Sequence, residues 1–312
     1  MFGLLAARRI PVVPPVQPGM IARVTGIYDE PELYQLACAY RDVPAEAGAL
    51  LAWCDEYYRG GNTGNTGSTS TGAGTVRSVL ELAAGPAEHA RELARRGLRA
   101  TALDRSPAMC AYAAAQAKTA GLDLDVVEAD MRNFRIADAV DGPGADGAGR
   151  RFDLAITMLN SACHLFTLDD LVPHLTAVAA HLVVGGLYIV ELAHPADFFG
   201  PAQRTSNEWT IEAGGVRAQV RWGGREDRID PLTQVTAERM TITATTADGT
   251  VRTVSDVVPN RFWTLTEFTA AVRLANAAGA GLTIAASYGD FDTTTPLEAA
   301  SAWRMILILR RG

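Results

Sequence analysis

RSVLELAAGPAEHARELARRGLRATALD, residues 77–104, decides the fold. A short apolar run closes on Glu81-Leu82. It turns through the small residues Ala83-Ala84-Gly85-Pro86-Ala87, passes into a helical stretch, and returns as a second apolar run ending in Asp104. An apolar run, a tight turn, a helix and another apolar run make one βαβ unit. Downstream the same grammar repeats: a helix from Pro107 to Ala120, LDVVEAD (124–130), FDLAITML (152–159), a helix from Leu168 to Leu182, and LYIVEL (187–192). Five such strands joined by helices predict right-handed crossovers and a doubly wound α/β sheet covered on both faces.

The flanks read differently. Between Tyr28 and Tyr58 the pattern is helical, with Pro31 and Pro44 near two helix starts. After Pro195 come alternating segments, WTIEA, RAQVRW, QVTAERMTITATT and TVRTVSDVV, with a turn at Asp248-Gly249, which predict an antiparallel insertion. A helix from about Thr266 to Ala278 and the runs LTIAAS and WRMILIL close the chain; the loop joining those runs is too helix-poor for a crossover, so they are expected to pair antiparallel. The expected division is a flexible arm (1–20), a helical lid and linker (21–75), a core (76–200), a β lid (201–262) and the end of the core (263–312). Two tracts, Gly60–Gly74 and Asp138–Gly149, are too poor in apolar residues to offset the entropy of ordering and are expected to be mobile loops.

Composition narrows the function. With 48% apolar and 20% charged residues the chain of 312 is of ordinary globular type. The 28 basic residues against 35 acidic ones are scattered and give −7, which argues against a nucleic-acid partner. Cys38, Cys54, Cys110 and Cys163 form no C-x-x-C pair, as expected of packed thiols in a cytoplasmic protein. No run approaches the roughly 20 apolar residues of a membrane span. The order of charge and apolar residues in the first twenty is wrong for export, and Met20 is an alternative start to Met1. No H-e-x-x-H pattern or clustered ligand set predicts a metal.

The turn at Gly85 lets backbone N–H groups and a helix N-terminus approach a ligand. A dinucleotide fingerprint aligned there would put Ala83 at its first glycine and Glu88 at its third small position, which disfavours a nicotinamide oxidoreductase. Asp104 lies 23 positions after Glu81, where a carboxylate can accept ribose hydroxyls, and Asp130 closes the third strand. Three carboxylates therefore converge on the carboxyl edge of the sheet.

In this order the motifs resemble the class I S-adenosylmethionine-dependent methyltransferases, from Tyr28 to the end of the chain. VLELAAGPAEHA is similar to their first motif, ALDRSP to the second and EADMRNF to the third. The resemblance implies a Rossmann-like, seven-stranded, mostly parallel sheet with an antiparallel last strand. It also implies S-adenosylmethionine as cofactor, held by Glu81, Ala83, Gly85, Asp104, Arg105, Asp130, Met131 and Met158, with Tyr40 and Arg41 reaching its carboxylate and Tyr28 and Tyr34 closing over it. The accessory parts are similar to those of glycine and amino-sugar N-methyltransferases. A small-molecule acceptor is implied, an amine or an electron-rich aromatic of specialised metabolism, with Tyr34, Trp209, Trp222 and Trp263 facing it. Asn160, His164, His194 and Glu208 are the catalytic candidates, while His89, His174 and His181 read as structural or exposed. O-methylation and a cofactor-binding module without transferase activity are the competing readings. The proline-rich arm and the added sheet are candidate contacts of a homodimer.

Overall fold

The computed structural model describes residues 26–60, 74–137, 149–199, 207–224 and 226–312. The expected arm (1–20) and most of the two low-complexity tracts lie outside them. After a single 3-10 turn at Ile27–Asp29 come α1 (Pro31–Ala37) and α2 (Val43–Tyr57). Both prolines sit in a first turn, where a missing N–H costs nothing, and Asp42 caps α2 by accepting from Ala45 N (3.0 Å).

The core follows: β1 (Ser78–Leu82), α3 (Glu88–Arg95), β2 (Arg99–Asp104), α4 (Pro107–Thr119), β3 (Leu124–Glu128), β4 (Phe152–Thr157), α5 (Leu168–Ala180) and β5 (Leu182–Ala193). Next are α6 (Pro195–Phe199), the strands β6 (Asn207–Ala213), β7 (Val216–Trp222), β8 (Val235–Thr246) and β9 (Val251–Arg261), then α7 (Leu265–Ala277), β10 (Leu282–Tyr288) and β11 (Arg304–Arg311). The large sheet has the order β10-β11-β5-β4-β1-β2-β3, and β11 runs antiparallel to both its neighbours. The β3–β4 connection shows no helix among the described residues, so the expected run of helical crossovers is interrupted there.

β1 is buried at all five positions, as a central parallel strand must be when helices cover both faces. One apolar cluster packs the α5 and α7 side, with Leu80, Leu103, Phe152, Val178 and Phe268. A second packs the α2 and α3 side, with Leu50, Trp53, Val79, Leu93 and Ile306. β5 begins five residues earlier than LYIVEL suggested, and its register shifts between Phe152 and Leu154 of its partner. Gly185 marks this irregularity: its φ is +78°, and a Cβ there would lie 2.4 Å from the Arg59 carbonyl carbon, so the tail of α2 passes only over a glycine.

The accessory elements form a single roof. β6–β9 make a four-stranded antiparallel meander. Its inner face, with Val220, Met240, Ile242, Val254 and Val258, packs on Ile27, Leu33 and Ala37 of the N-terminal segment. Trp209 Nε1 donates to the Ala37 carbonyl (2.9 Å), and Asp256 accepts from Ile27 N (3.1 Å). Segments read separately as a helical lid and a β lid thus share one core. Among the described residues no helix is long and apolar enough to cross a membrane.

Candidate active site

Between the roof and the carboxyl ends of the strands lies a cavity of about 1100 Å³. On the sheet side, the turn after β1 places Ala83, Gly85 and Ala87 at φ +49°, +53° and +56°. Left-handed backbone is costly for alanine, and here it curls the chain so that Gly85 N reaches Asp104 Oδ2 at 2.7 Å. The other carboxylate oxygen accepts from Ser106 N (2.8 Å). Ser106, not Asp104, caps α4, accepting from Met109 N. Asp104 keeps acceptor capacity, because an ionised carboxylate has about four lone-pair sites and two are used. Burial raises its pKa, partly opposed by the Ser106 and Gly85 amides.

Glu81 sits behind this turn and does not line the cavity. Its Oε2 accepts from Ala90 N (2.7 Å), which anchors the first turn of α3, and its Oε1 lies 3.4 Å from His89 Nδ1. Asp130 and Met131 do line the cavity; Asp130 is paired with Arg132, whose guanidinium lowers its pKa. Arg105 joins the wall, whereas Met158 is buried in the apolar cluster beneath.

The loop after β4 forms the floor near the roof. Leu159 and Asn160 have φ +53° and +55°, two successive left-handed residues held by contacts with β5. Leu159 N donates to Glu191 Oε2 (2.7 Å), and Ala193 N donates to Asn160 Oδ1 (3.0 Å). This bend carries Ser161, Cys163 and His164 to the cavity wall. Tyr28 Oη and His164 Nε2 are 3.0 Å apart. Burial and the nearby Arg105 lower the His164 pKa to about 4, so the ring is neutral at pH 7.

Arg41 does not reach the cavity. Its guanidinium lies within 2.8 Å of both Glu46 and Glu191, its side chain only 3% exposed. Arg304 adds ion pairs to the same two carboxylates, and His89 meets Glu46 at 2.8 Å. The expected carboxylate clamp is therefore spent on a buried network that ties α2, α3, β5 and β11 together; its Glu191 and Arg304 line the cavity. His194 is also held away from the wall: Nε2 bonds the Leu297 carbonyl and Nδ1 accepts from Ala196 N. Trp263 belongs to the core, its Nε1 donating to the Leu165 carbonyl. His174 and His181 are buried and bonded to backbone groups.

On the roof side, Tyr34, Tyr40, Trp209, Trp222 and Glu208 line the cavity. Glu208 is paired across the strands with Arg221, both side chains about two-thirds exposed (65% and 64%). Among the wall residues that were not anticipated are Glu238, Asn260 and Trp303. Glu238 Oε2 accepts from Trp222 Nε1 and Asn260 Nδ2, both at 2.7 Å, and Cys163 Sγ donates to Asn260 Oδ1 (3.1 Å). A signal for Glu238 was present in QVTAERMTITATT. Counting by twos from Thr236 through Met240, Ile242 and Ala244 puts one carboxylate on the inward face.

Residues 79–186 match the model of a family described as a methyltransferase domain. They form such a domain. No curated protein matches the chain by sequence. Solved structures share its fold. An S-adenosylmethionine-dependent methyltransferase of Clostridium acetobutylicum is 18% identical with a TM-score of 0.65, covering 92% of this chain and 96% of its own. A sugar N-methyltransferase from Streptoalloteichus is 22% identical with a TM-score of 0.61, covering 99% and 100%. An amino pentose methyltransferase from Micromonospora echinaspora, solved with S-adenosylmethionine bound, is 18% identical with a TM-score of 0.60, covering 88% and 96%. The chain thus carries a methyltransferase domain within the fold of S-adenosylmethionine-dependent methyltransferases. The site fits S-adenosylmethionine: it offers a half-buried carboxylate with spare acceptor sites at the end of β2, a close-approach turn at Gly85, and room for more than one ligand.

Proposed function

We propose that this methyltransferase methylates the nitrogen of a small-molecule amine, of the amino-sugar kind on which the Streptoalloteichus and Micromonospora enzymes act by their descriptions. The observation that carries the reading is the two-sided cavity: strand-end groups suited to a nucleoside on one side, and on the other a roof with a buried carboxylate, met by the loop after β4 with its neutral histidine. When bound, S-adenosylmethionine supplies an electrophilic methyl group on a sulfonium, so no strong protein nucleophile is required.

The protein's work is to bind, orient and exclude water. With S-adenosylmethionine bound, Asp104 would accept the ribose hydroxyls, the Gly85 turn would give close backbone approach, and Asp130 with Met131 would border the base. Tyr28 and Tyr34 cover the cofactor, and Tyr40 stands at the rim, edge-on to Trp209. His164 is a poor proton acceptor: with a pKa of about 4 it lies several units below an aliphatic ammonium, and each unit costs about 1.4 kcal/mol. Its ring and the Tyr28 hydroxyl instead shape the wall beside the acceptor. The four cysteines, all free thiols, support a cytoplasmic location.

The test is calorimetric titration with S-adenosylmethionine, followed by labelled methyl transfer to methyl glycosides of 3- and 4-amino-6-deoxyhexoses and to their hydroxy counterparts. Binding by wild type and label on nitrogen are expected. An absence of cofactor binding, or transfer only to the hydroxy sugars, would sink the reading.

A further inference from the structure

Glu238 is 6% exposed, lines the cavity, and has no cationic partner among the described residues. Among the described residues its hydrogen-bond donors are Trp222 and Asn260, and both bonds fall on Oε2. A buried carboxylate is normally paired with a cation, because two neutral donors offset only part of its desolvation. The other buried carboxylates show what is missing: Glu46 and Glu191 each meet two arginines, and Glu81 meets His89.

The cations of the neighbouring strands are directed elsewhere. Arg221 and Arg239 lie on the exposed face by strand alternation, and Arg261 bonds Glu267 and the Phe166 carbonyl. The titratable groups that do influence Glu238 or are influenced by it are Asp227 and Cys163, neither of them a cation. Asn260 links Glu238 directly to Cys163, one residue from His164, on the loop after β4. The carboxylate therefore stands where the roof meets that loop.

We propose that Glu238 is the counter-ion and proton acceptor for the amine of the methyl acceptor. This rests on the amine reading above and assigns the group that selects it. The acceptor arrives as R–NH3⁺ and pairs with the Glu238 carboxylate. One proton passes to the carboxylate, leaving R–NH2 with a free lone pair and a neutral Glu238 that Trp222 and Asn260 keep in place. Burial has already moved this carboxyl up to about 7, between an ordinary carboxylate and an amine, so the transfer is less uphill than to His164. An alcohol presents no positive charge and leaves the carboxylate unpaired, which makes the site selective for nitrogen over oxygen.

The experiment compares wild type, Glu238→Gln and Glu238→Asp, using methyl 3-amino-3,6-dideoxyglucoside and its 4-amino isomer as probes. Calorimetry measures probe binding to the S-adenosylhomocysteine complex, steady-state kinetics give kcat and KM from pH 5.5 to 9, and melting curves check folding. Glu238→Gln is expected to bind S-adenosylhomocysteine as wild type does, to bind the amine at least tenfold more weakly, and to lose about 100-fold in kcat/KM. It should also lose the acid limb of the wild-type pH profile near pH 7, with partial recovery in Glu238→Asp. A folded Glu238→Gln variant with wild-type amine affinity and pH profile overturns the assignment of Glu238 alone. Wild type that binds S-adenosylhomocysteine but methylates no amine overturns the amine reading, and this site with it.

Discussion

The two sides of the cavity hold their carboxylates by different means. Asp104 is gripped by backbone amides, Gly85 N and Ser106 N, that belong to its own βαβ unit. Glu238 is gripped by side chains, Trp222 from β7 and Asn260 from β9, and through Asn260 by Cys163 of the core. Backbone donors at strand ends come with the fold and serve a ligand that does not vary. Side-chain donors on a separate sheet can be exchanged without disturbing the core, which suits the half of the site proposed to choose the acceptor.

The largest expected effect lies in the buried ion network on the core side of the cavity. Arg41→Met leaves the buried Glu46 and Glu191 with one shared cation, Arg304, in place of two, and breaking such buried pairs costs about 3–5 kcal/mol. Urea unfolding should show the loss; a change under about 1 kcal/mol would mean that the network does not stabilise the core.

Next comes a double dissociation. Asp104→Ala should weaken S-adenosylmethionine binding about 100-fold, the scale of losing charge-assisted hydrogen bonds. Trp222→Phe removes one donor to Glu238 and should raise the acceptor KM about tenfold while leaving cofactor affinity unchanged. If each variant moved both affinities equally, the division into a cofactor half and an acceptor half would be wrong.

Stability against pH probes the same network. His89 is pushed up to about 9 by hydrogen bonds to Glu46 and Glu81 that outweigh the desolvation opposing them, so its contribution is full below 6.5 and is lost as pH rises through 9. Glu46 is held down at about 2 by His89 and Arg41 despite its burial, so its contribution is full above 4.5 and is lost as pH falls towards 2. Melting temperature should therefore decline on both sides of a window between about 4.5 and 6.5, and His89→Gln should flatten the alkaline side.

The smallest effect is expected at the rim. Glu208→Gln breaks an exposed cross-strand pair and should shift stability by less than about 0.5 kcal/mol, with kcat/KM unchanged. A large loss of activity would return Glu208 to the catalytic candidates.

Legibility in the sequence follows the same line. That Gly85, Asp104 and Asp130 share one cavity wall was readable because each lies at or just past the end of a strand, where local turn and strand patterns place it. Arg41 was misleading: YRD marks a positive charge near the site, but the partners that consume it, Glu46 and Glu191, include one 150 positions away. Glu208 drew attention as a carboxylate beside a tryptophan, yet it sits at the exposed rim of the cavity, paired with Arg221, while Glu238 faces inward among apolar neighbours. His194 and Trp263 were placed correctly along the chain, but carbonyl partners hold them off the cavity wall.

By itself the sequence determined the strand order's raw material, the turn that approaches a ligand, and the acidic strand ends, because apolar periodicity and turn chemistry act over a few residues. Only tertiary structure decided which buried carboxylate has a cation and which lacks one. That property depends on desolvation and on donors brought from distant segments, here Trp222, Asn260 and Cys163, and no local pattern encodes it.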